Sequence, residues 1–237
     1  MSGLLAYIGD NLGLIWQRAV EHVALSGASL ALAMLLALPL ALWLGHTGRG
    51  GFLAVNASNI GRALPSLAII AIFVSLPRFG LSNLSTVAAL IALGIPPMLT
   101  NAYTGVREVD RDVVEAARGM GMTEGGILRK VELPLAAPVI VAGIRTSAVQ
   151  IVATATLAAV IAGGGLGRFI TDGFAIGDDA QVLTGAIAVA LLAVATEVGL
   201  GLVERAVTPR GLVVGRAAAG RPEAPLPGPA DAVVREV

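Results

Sequence analysis

Three ionisable residues, Arg62, Arg145 and Glu197, fall inside otherwise apolar stretches of the sequence. A charge at the centre of a bilayer costs about 3 kcal/mol on insertion scales, so such residues are functional candidates by default. Arg145 and Glu197 suit one another as an ion pair between two helices. Arg62 stands just before Pro65, where a helix is expected to break. Broken backbone at membrane depth is tolerated only against protein or a water-filled path. Asn59, Arg62, Pro65 and Ser66 are therefore candidates for a translocation path or gate. Snorkelling of Arg62 to the inner interface is the other open reading. Gln150, Thr154 and Thr156 continue the polar set beyond Arg145. Path lining and plain hydrogen bonding between helices both account for them.

Several chemistries lack the residues they need. Cysteine is absent, and the two histidines, His22 and His46, stand at the expected ends of the first apolar stretch. That leaves no thiolate, no expected metal site and no histidine buried beside a serine. There is no G-x-x-x-x-G-K-[ST] phosphate loop, so the chain is not expected to hydrolyse ATP or to bind a cofactor of its own. A formal net charge of zero gives no electrostatic footprint for nucleic acid.

One polar segment, residues 105–132, carries a helical pattern. Asp110 is placed to cap a helix start by accepting a backbone N–H bond. Val113, Val114, Ala117 and Met120 follow at helical spacing on one side. Gly121 is suited to end that helix, because glycine tolerates the left-handed conformation. Thr123 is placed to cap a second short helix, and Pro134 is expected to start the next long one. The result is a bent pair of short helices with a small apolar stripe. Either a partner protein covers the stripe or it packs on the membrane interface and the chain's own helices. Arg111 and Arg118 are free in the sequence to pair with acidic groups on a partner or to face lipid headgroups.

The elements that must position these residues are membrane helices. Hydrophobic residues make up 56% of the 237-residue chain and charged residues 14%, against about 25% in soluble domains. A crossing needs about 20 mainly apolar residues. Five stretches qualify: 23–44, 52–76, 84–104, 135–162 and 182–203. Lysine and arginine set orientation. With the N-terminus outside, the inner segments carry Arg49, Arg107, Arg111, Arg118, Arg129, Lys130, Arg205, Arg210, Arg216, Arg221 and Arg235, and the outer segments only Arg18, Arg78 and Arg168. Trp43, Phe52, Phe79, Tyr103 and Phe169 fall near expected span ends, where such rings favour the interface. Residues 1–20 lack the basic start of a signal peptide and read as an external amphipathic segment. Residues 21–208 form the membrane domain, and 209–237 read as a disordered cytoplasmic tail. Gly163 to Gly165 open an outer loop, 163–180, that holds Asp172, Asp178 and Asp179 and reads as a plain mobile turn, a surface for a binding protein or a cation being the other open reading.

The segment 105–134 resembles the cytoplasmic motif of permeases in binding-protein-dependent ABC importers: EAA, three residues, G, nine residues, I, one residue, LP. Here Glu115-Ala116-Ala117, Gly121, Val131 and Leu133-Pro134 stand at those spacings, with valine for isoleucine as the one departure. The resemblance implies an all-α, type I ABC importer permease-like bundle of about five spans with a cytoplasmic coupling helix. Glu115, Ala116, Ala117, Arg118, Gly119, Gly121, Val131, Leu133 and Pro134 would form the coupling site for a separate ATPase subunit. That subunit would hold ATP and Mg. A substrate-binding protein, a second permease copy or related permease, and the lipid of a bacterial inner membrane are the other implied partners.

Further stretches resemble the osmoprotectant branch of the family: 63–68, 101–106, 118–123, 131–135, 143–147 and 163–167. That branch imports glycine betaine, carnitine or choline. A permease for another small solute, such as an amino acid, stays open, as does an ATP-independent transporter. Five spans lack the inverted repeat common among the latter.

Overall fold

The computed structural model describes residues 2–208 apart from 53–55, 57, 58, 60, 62 and 162. Two sequence expectations, the role of Arg62 and the tail over 209–237, lie outside the described residues. Helices α1 (Ser2–Asp10), α2 (Leu12–Thr47), α3 (Ser66–Ser75), α4 (Asn83–Arg107), α5 (Arg111–Gly119), α6 (Glu124–Ile127), α7 (Leu133–Thr154), α8 (Gly167–Ile176) and α9 (Asp179–Val207) follow one another. A π-helical turn, Leu128–Glu132, joins α6 to α7, and a 3-10 stretch, Ala155–Ile161, extends α7. No strand occurs among the described residues.

The first crossing is longer than the sequence suggests. α2 has 36 residues, about 54 Å at 1.5 Å per residue, against a hydrocarbon core of about 30 Å. Nothing between Leu12 and Val23 breaks a helix. The charges there mark the end of the apolar part, not the end of the helix. Arg18 pairs with Glu21 one turn on, at 2.8 Å. The expected external segment 1–20 is therefore two things, a separate α1 and the first turns of α2. Gly48, with φ 68°, ends α2 in the left-handed region.

The expected span over 52–76 is not one continuous helix. Pro65 is extended, with φ −61° and ψ 130°, and α3 begins only at Ser66. Proline has no N–H to donate and crowds the preceding turn. α3 has ten residues, about 15 Å, too short to cross alone. Among the described residues, four helical stretches are long and apolar enough to cross: 12–47, 83–107, 124–161 and 179–207.

α4 is the central helix. Leu90, Leu93, Met98, Ala102 and Val106 along it are buried. α2 meets it through a stripe of small residues one turn apart, Ala33, Ala37, Ala41 and Gly45, all buried. A Cβ at Gly45 would stand 2.9 Å from Cβ of Val106. On the other side α7 packs equally close: a Cβ at Gly143 would stand 2.6 Å from Cβ of Asn101. Ser147 Oγ donates to the Gly94 carbonyl at 2.8 Å, fastening α7 to α4. Lipid offers helices little hydrophobic drive to associate, so close approach and interhelical hydrogen bonds carry the packing.

The region 163–180 is not the plain mobile turn expected. Ten of its residues form α8, and Leu166 and Phe169 are buried against Val189 of α9, with Tyr7 of α1 and Ile15 of α2 packed alongside. Phe169 is thus a core residue and not an interfacial ring. Asp178 caps α9 by accepting from the N–H groups of Ala180 and Gln181, at 2.9 and 3.1 Å. The acidic character is local capping and pairing, with Arg168 3.4 Å from Asp172. Trp43 and Phe52 remain exposed, and Phe79 packs edge-on to Phe73 with ring centres 5.5 Å apart. Along α9, Leu183, Ile187, Leu191, Val194, Val198 and Leu202 form an exposed apolar face of helical period.

Candidate functional site

The segment after α4 folds as a compact elbow. Asp110 caps α5 by accepting from Asp112 N–H at 2.9 Å. α5 closes with two bonds that satisfy its last carbonyls. Gly121 N–H donates to Arg118 O at 2.9 Å, and Met122 N–H to Ala117 O at 3.3 Å. Gly121 has φ 82°. This is the Schellman pattern, which needs a left-handed residue after the helix. Thr123 then caps α6 by accepting from Gly126 N–H at 3.3 Å.

The elbow is anchored rather than hung. Val114 and Ala117 are buried in one apolar cluster with Val109, Ile127, Ala136, Ile140 and the C-terminal part of α4, with Met122, Val131 and Leu133 packed against it. The expected four-residue stripe is therefore split. Val114 and Ala117 turn toward the chain's own helices, while Val113 and Met120 are exposed. Glu115, Ala116, Arg118, Gly119, Gly121 and Pro134 are also exposed, and Val131 and Leu133 are half-buried.

Arg118 does not wait for a partner's carboxylate. Its Nε lies 2.8 Å from Glu124 Oε1, and its NH2 lies 3.0 Å from Glu124 Oε2. The pair holds the two arms of the elbow together across the Gly121 bend. Such forked geometry is the specific form of an arginine–carboxylate contact. Arg111 donates to the Arg107 carbonyl at 3.1 Å.

Pro134 stands in the first turn of α7, as expected, but the chain does not leave the helix before it. The helical path runs from Glu124 to Ile161 without a stop. Leu133 N–H donates to Leu128 O, five residues back. The wide turn falls just before the residue that cannot donate, which lets the helix absorb the proline. Its effect is to turn Glu132 inward, where it is 1% exposed. Glu132 Oε2 lies 2.5 Å from Nδ1 of His46, in the last turn of α2. Sequence reasoning placed His46 at a span end and gave Glu132 no role. A carboxylate next to the motif's Leu-Pro and a histidine at a helix end carry no signal until the fold joins them.

Asn59 and Pro65 are exposed, and Ser66, Gln150 and Thr154 are half-buried. Thr156 Oγ1 donates to its own helix, at Ala153 O and 2.7 Å. Two clefts, of about 290 and 270 Å³, have other linings. The first includes Glu21, Leu25 and Asn83, and the second Ser26, Val152 and Thr196. His22 follows Glu21 where the apolar part of α2 ends. It is buried in α2 with Nε2 2.9 Å from the Val152 carbonyl.

The expected Arg145–Glu197 pair is present at 3.3 Å. Arg145 also reaches Glu204 at 2.6 Å. Glu204 follows Glu197 by two helical turns and so shares its face. That spacing was the available signal.

Residues 24–209 match the family described as "Binding-protein-dependent transport system inner membrane component". The chain is 38% identical over 212 residues to the choline transport system permease protein OpuBB of Bacillus subtilis (strain 168), covering 90% of this chain and 97% of that one. It is 36% identical, over the same shares, to the glycine betaine/carnitine/choline transport system permease protein OpuCB of that organism. The carnitine transport permease protein OpuCB of Listeria monocytogenes is 34% identical, with 90% of this chain and 96% of that one covered. In fold the chain is similar to one in the inward-facing MetNI methionine ABC transporter. The TM-score is 0.72, at 22% identity, over 84% of this chain and 99% of that one. The chain belongs to the inner membrane components of binding-protein-dependent transport systems.

Proposed function

From that membership we propose that the chain forms the translocation path for an osmoprotectant of the glycine betaine, carnitine and choline class, driven by ATP hydrolysis on a separate subunit. The observation that carries the coupling is the elbow itself. Its outer surface offers Glu115, Ala116, Gly119, Val113 and Met120, a small and partly apolar patch suited to a groove on the ATPase. Its inner surface is packed into the bundle. A push on α5 therefore reaches α7 through one helical path, 124–161, and α4 through the close Gly143–Asn101 contact. ATP and Mg would be held by the ATPase and not by this chain.

The substrate class rests on the relatives named above. The chain's own composition suits a conduit better than a receptor. Quaternary ammonium groups are held tightly by aromatic cages, and aromatics are 4% of this sequence. Affinity then belongs to a separate binding protein on the outer side. Two permeases, identical or related, enclose the path. The N-terminus lies outside and the C-terminus inside, as the lysine and arginine bias argues.

The test is uptake by proteoliposomes containing the permease, its ATPase and its binding protein, offered radiolabelled choline, glycine betaine and carnitine in turn. ATP-dependent accumulation of at least one is expected, abolished when the ATPase is inactivated. Uptake of none of the three removes the substrate class. Uptake indifferent to the ATPase removes the coupling.

A further inference from the structure

Glu132 is a carboxylate buried at the start of α7, at 1% exposure. Burying such a group is costly unless it is paired and hydrogen-bonded. Its partner is His46, from an element 86 residues earlier, with Nδ1 2.5 Å from Oε2. The other ring nitrogen, Nε2, lies 3.3 Å from Glu124 Oε2. Glu124 in turn takes the two-pronged contact from Arg118. An unbroken polar chain thus runs from the buried foot of α7, through the last turn of α2, to the exposed arm α5. Both nitrogens of the ring face carboxylate oxygens.

The backbone around Glu132 explains why such a clasp is needed. The turn 128–132 is π-helical. Reverting one π turn to α geometry changes the register by one residue. That rotates everything on its far side by about 100°. Such a rotation would carry Glu124 off His46 and swing α5 around the axis of α7. Apolar packing alone, which is non-directional, discriminates less well between the two registers than a ring hydrogen-bonded to Glu132 and set against the Glu124 carboxylate.

We infer that His46 is a positioning residue: it latches the elbow to α2 in one register, so that movement of α5 is delivered to both α2 and α7 rather than lost in the π turn. The part concerning delivery of movement rests on the coupling reading above. The latch itself does not.

Two measurements separate them. The first is amide hydrogen exchange over 124–134 in the full-length chain purified in detergent. His46→Ala is expected to speed exchange about tenfold to a hundredfold, the scale of losing one hydrogen bond to a charged group. His46→Gln, whose amide N–H can still reach Glu132, is expected to recover most of the protection. Unchanged exchange in His46→Ala overturns the latch. The second is ATP hydrolysed per choline, glycine betaine or carnitine molecule taken up by the reconstituted complex, together with co-purification of the ATPase. His46→Ala is expected to raise that ratio at least about fivefold with co-purification unchanged, and His46→Gln to restore it. An unchanged ratio, with exchange raised, overturns the delivery role. Should His46→Ala not accumulate, Glu124→Ala decides at an exposed position. A raised ratio and faster exchange support the proposal, and wild-type behaviour in both overturns it. A wild-type complex whose uptake ignores the ATPase sinks the coupling reading, while the exchange result still decides the latch.

Discussion

Arg145 lies between two carboxylates on one face of α9, 3.3 Å from Glu197 and 2.6 Å from Glu204. The arrangement shows how a membrane bundle tolerates charge. A lone cation on α7 would face lipid or apolar side chains, whereas the α9 carboxylates meet it across the helix contact. Removing only the cation leaves two like charges near each other without compensation. Arg145→Gln is therefore expected to reduce the yield of monodisperse protein on detergent size-exclusion chromatography several-fold. Arg145→Gln combined with Glu197→Gln and Glu204→Gln is expected to recover it, because no unpaired charge remains. Equal loss in both variants would mean that the cluster has a role other than mutual neutralisation. The pairing with Glu197 was legible in the sequence, because two opposite charges in facing spans have few other partners. The second partner depends on the helical register of α9.

At the scale of elements, two features decide the packing. One is the stripe of small residues on α2, which brings α4 so close that Gly45 has no room for a side chain. The other is α8, held by Phe169 at 2% exposure against Val189. Gly45→Val forces its new atoms onto Val106 and is expected to cost about 1–3 kcal/mol, the range for overpacking. Phe169→Ala is expected to cost about 3–5 kcal/mol by loss of burial and creation of a cavity. Both are read as falls in the apparent melting temperature of the purified protein. A Phe169→Ala variant as stable as wild type would restore the mobile-loop reading of 163–180. Glycines at its start and three aspartates made that segment look like a turn. Its helix is legible only once Leu166 and Phe169 have a neighbouring surface to cover, because ten residues form a marginal helix alone. The fracture at Pro65, by contrast, follows from covalent structure and was foreseeable.

At the scale of the whole molecule, the lysine and arginine bias of the sequence puts the elbow on the cytoplasmic side as an expectation. Topology can be tested without preparing a cysteine-free background, since the chain has no cysteine. Asp10→Cys is expected to react with a membrane-impermeant maleimide in intact spheroplasts. Gly119→Cys, at an exposed position of the elbow, is expected to react only after permeabilisation. Labelling of position 119 from outside would reverse the orientation and remove the elbow from any cytoplasmic ATPase. The exposed apolar face of α9 and the long α2 suit lipid contact.

Amino-acid sequence by itself determined the class of solvent, the approximate places of the crossings, and the elbow's start, bend and composition. Each of these is local: apolar length, a capping aspartate, a glycine that accepts positive φ, a proline without an N–H. What tertiary structure alone decided is which side of each helix meets which neighbour. Val114 and Ala117 turn inward and Val113 and Met120 outward because α4 and α7 stand on one side of α5. Arg118 finds Glu124 because Gly121 folds the chain back. His46 and Glu132 meet because a π turn rotates one residue into the bundle. Such contacts join residues far apart in the chain, and local pattern carries no record of a distance that only packing creates.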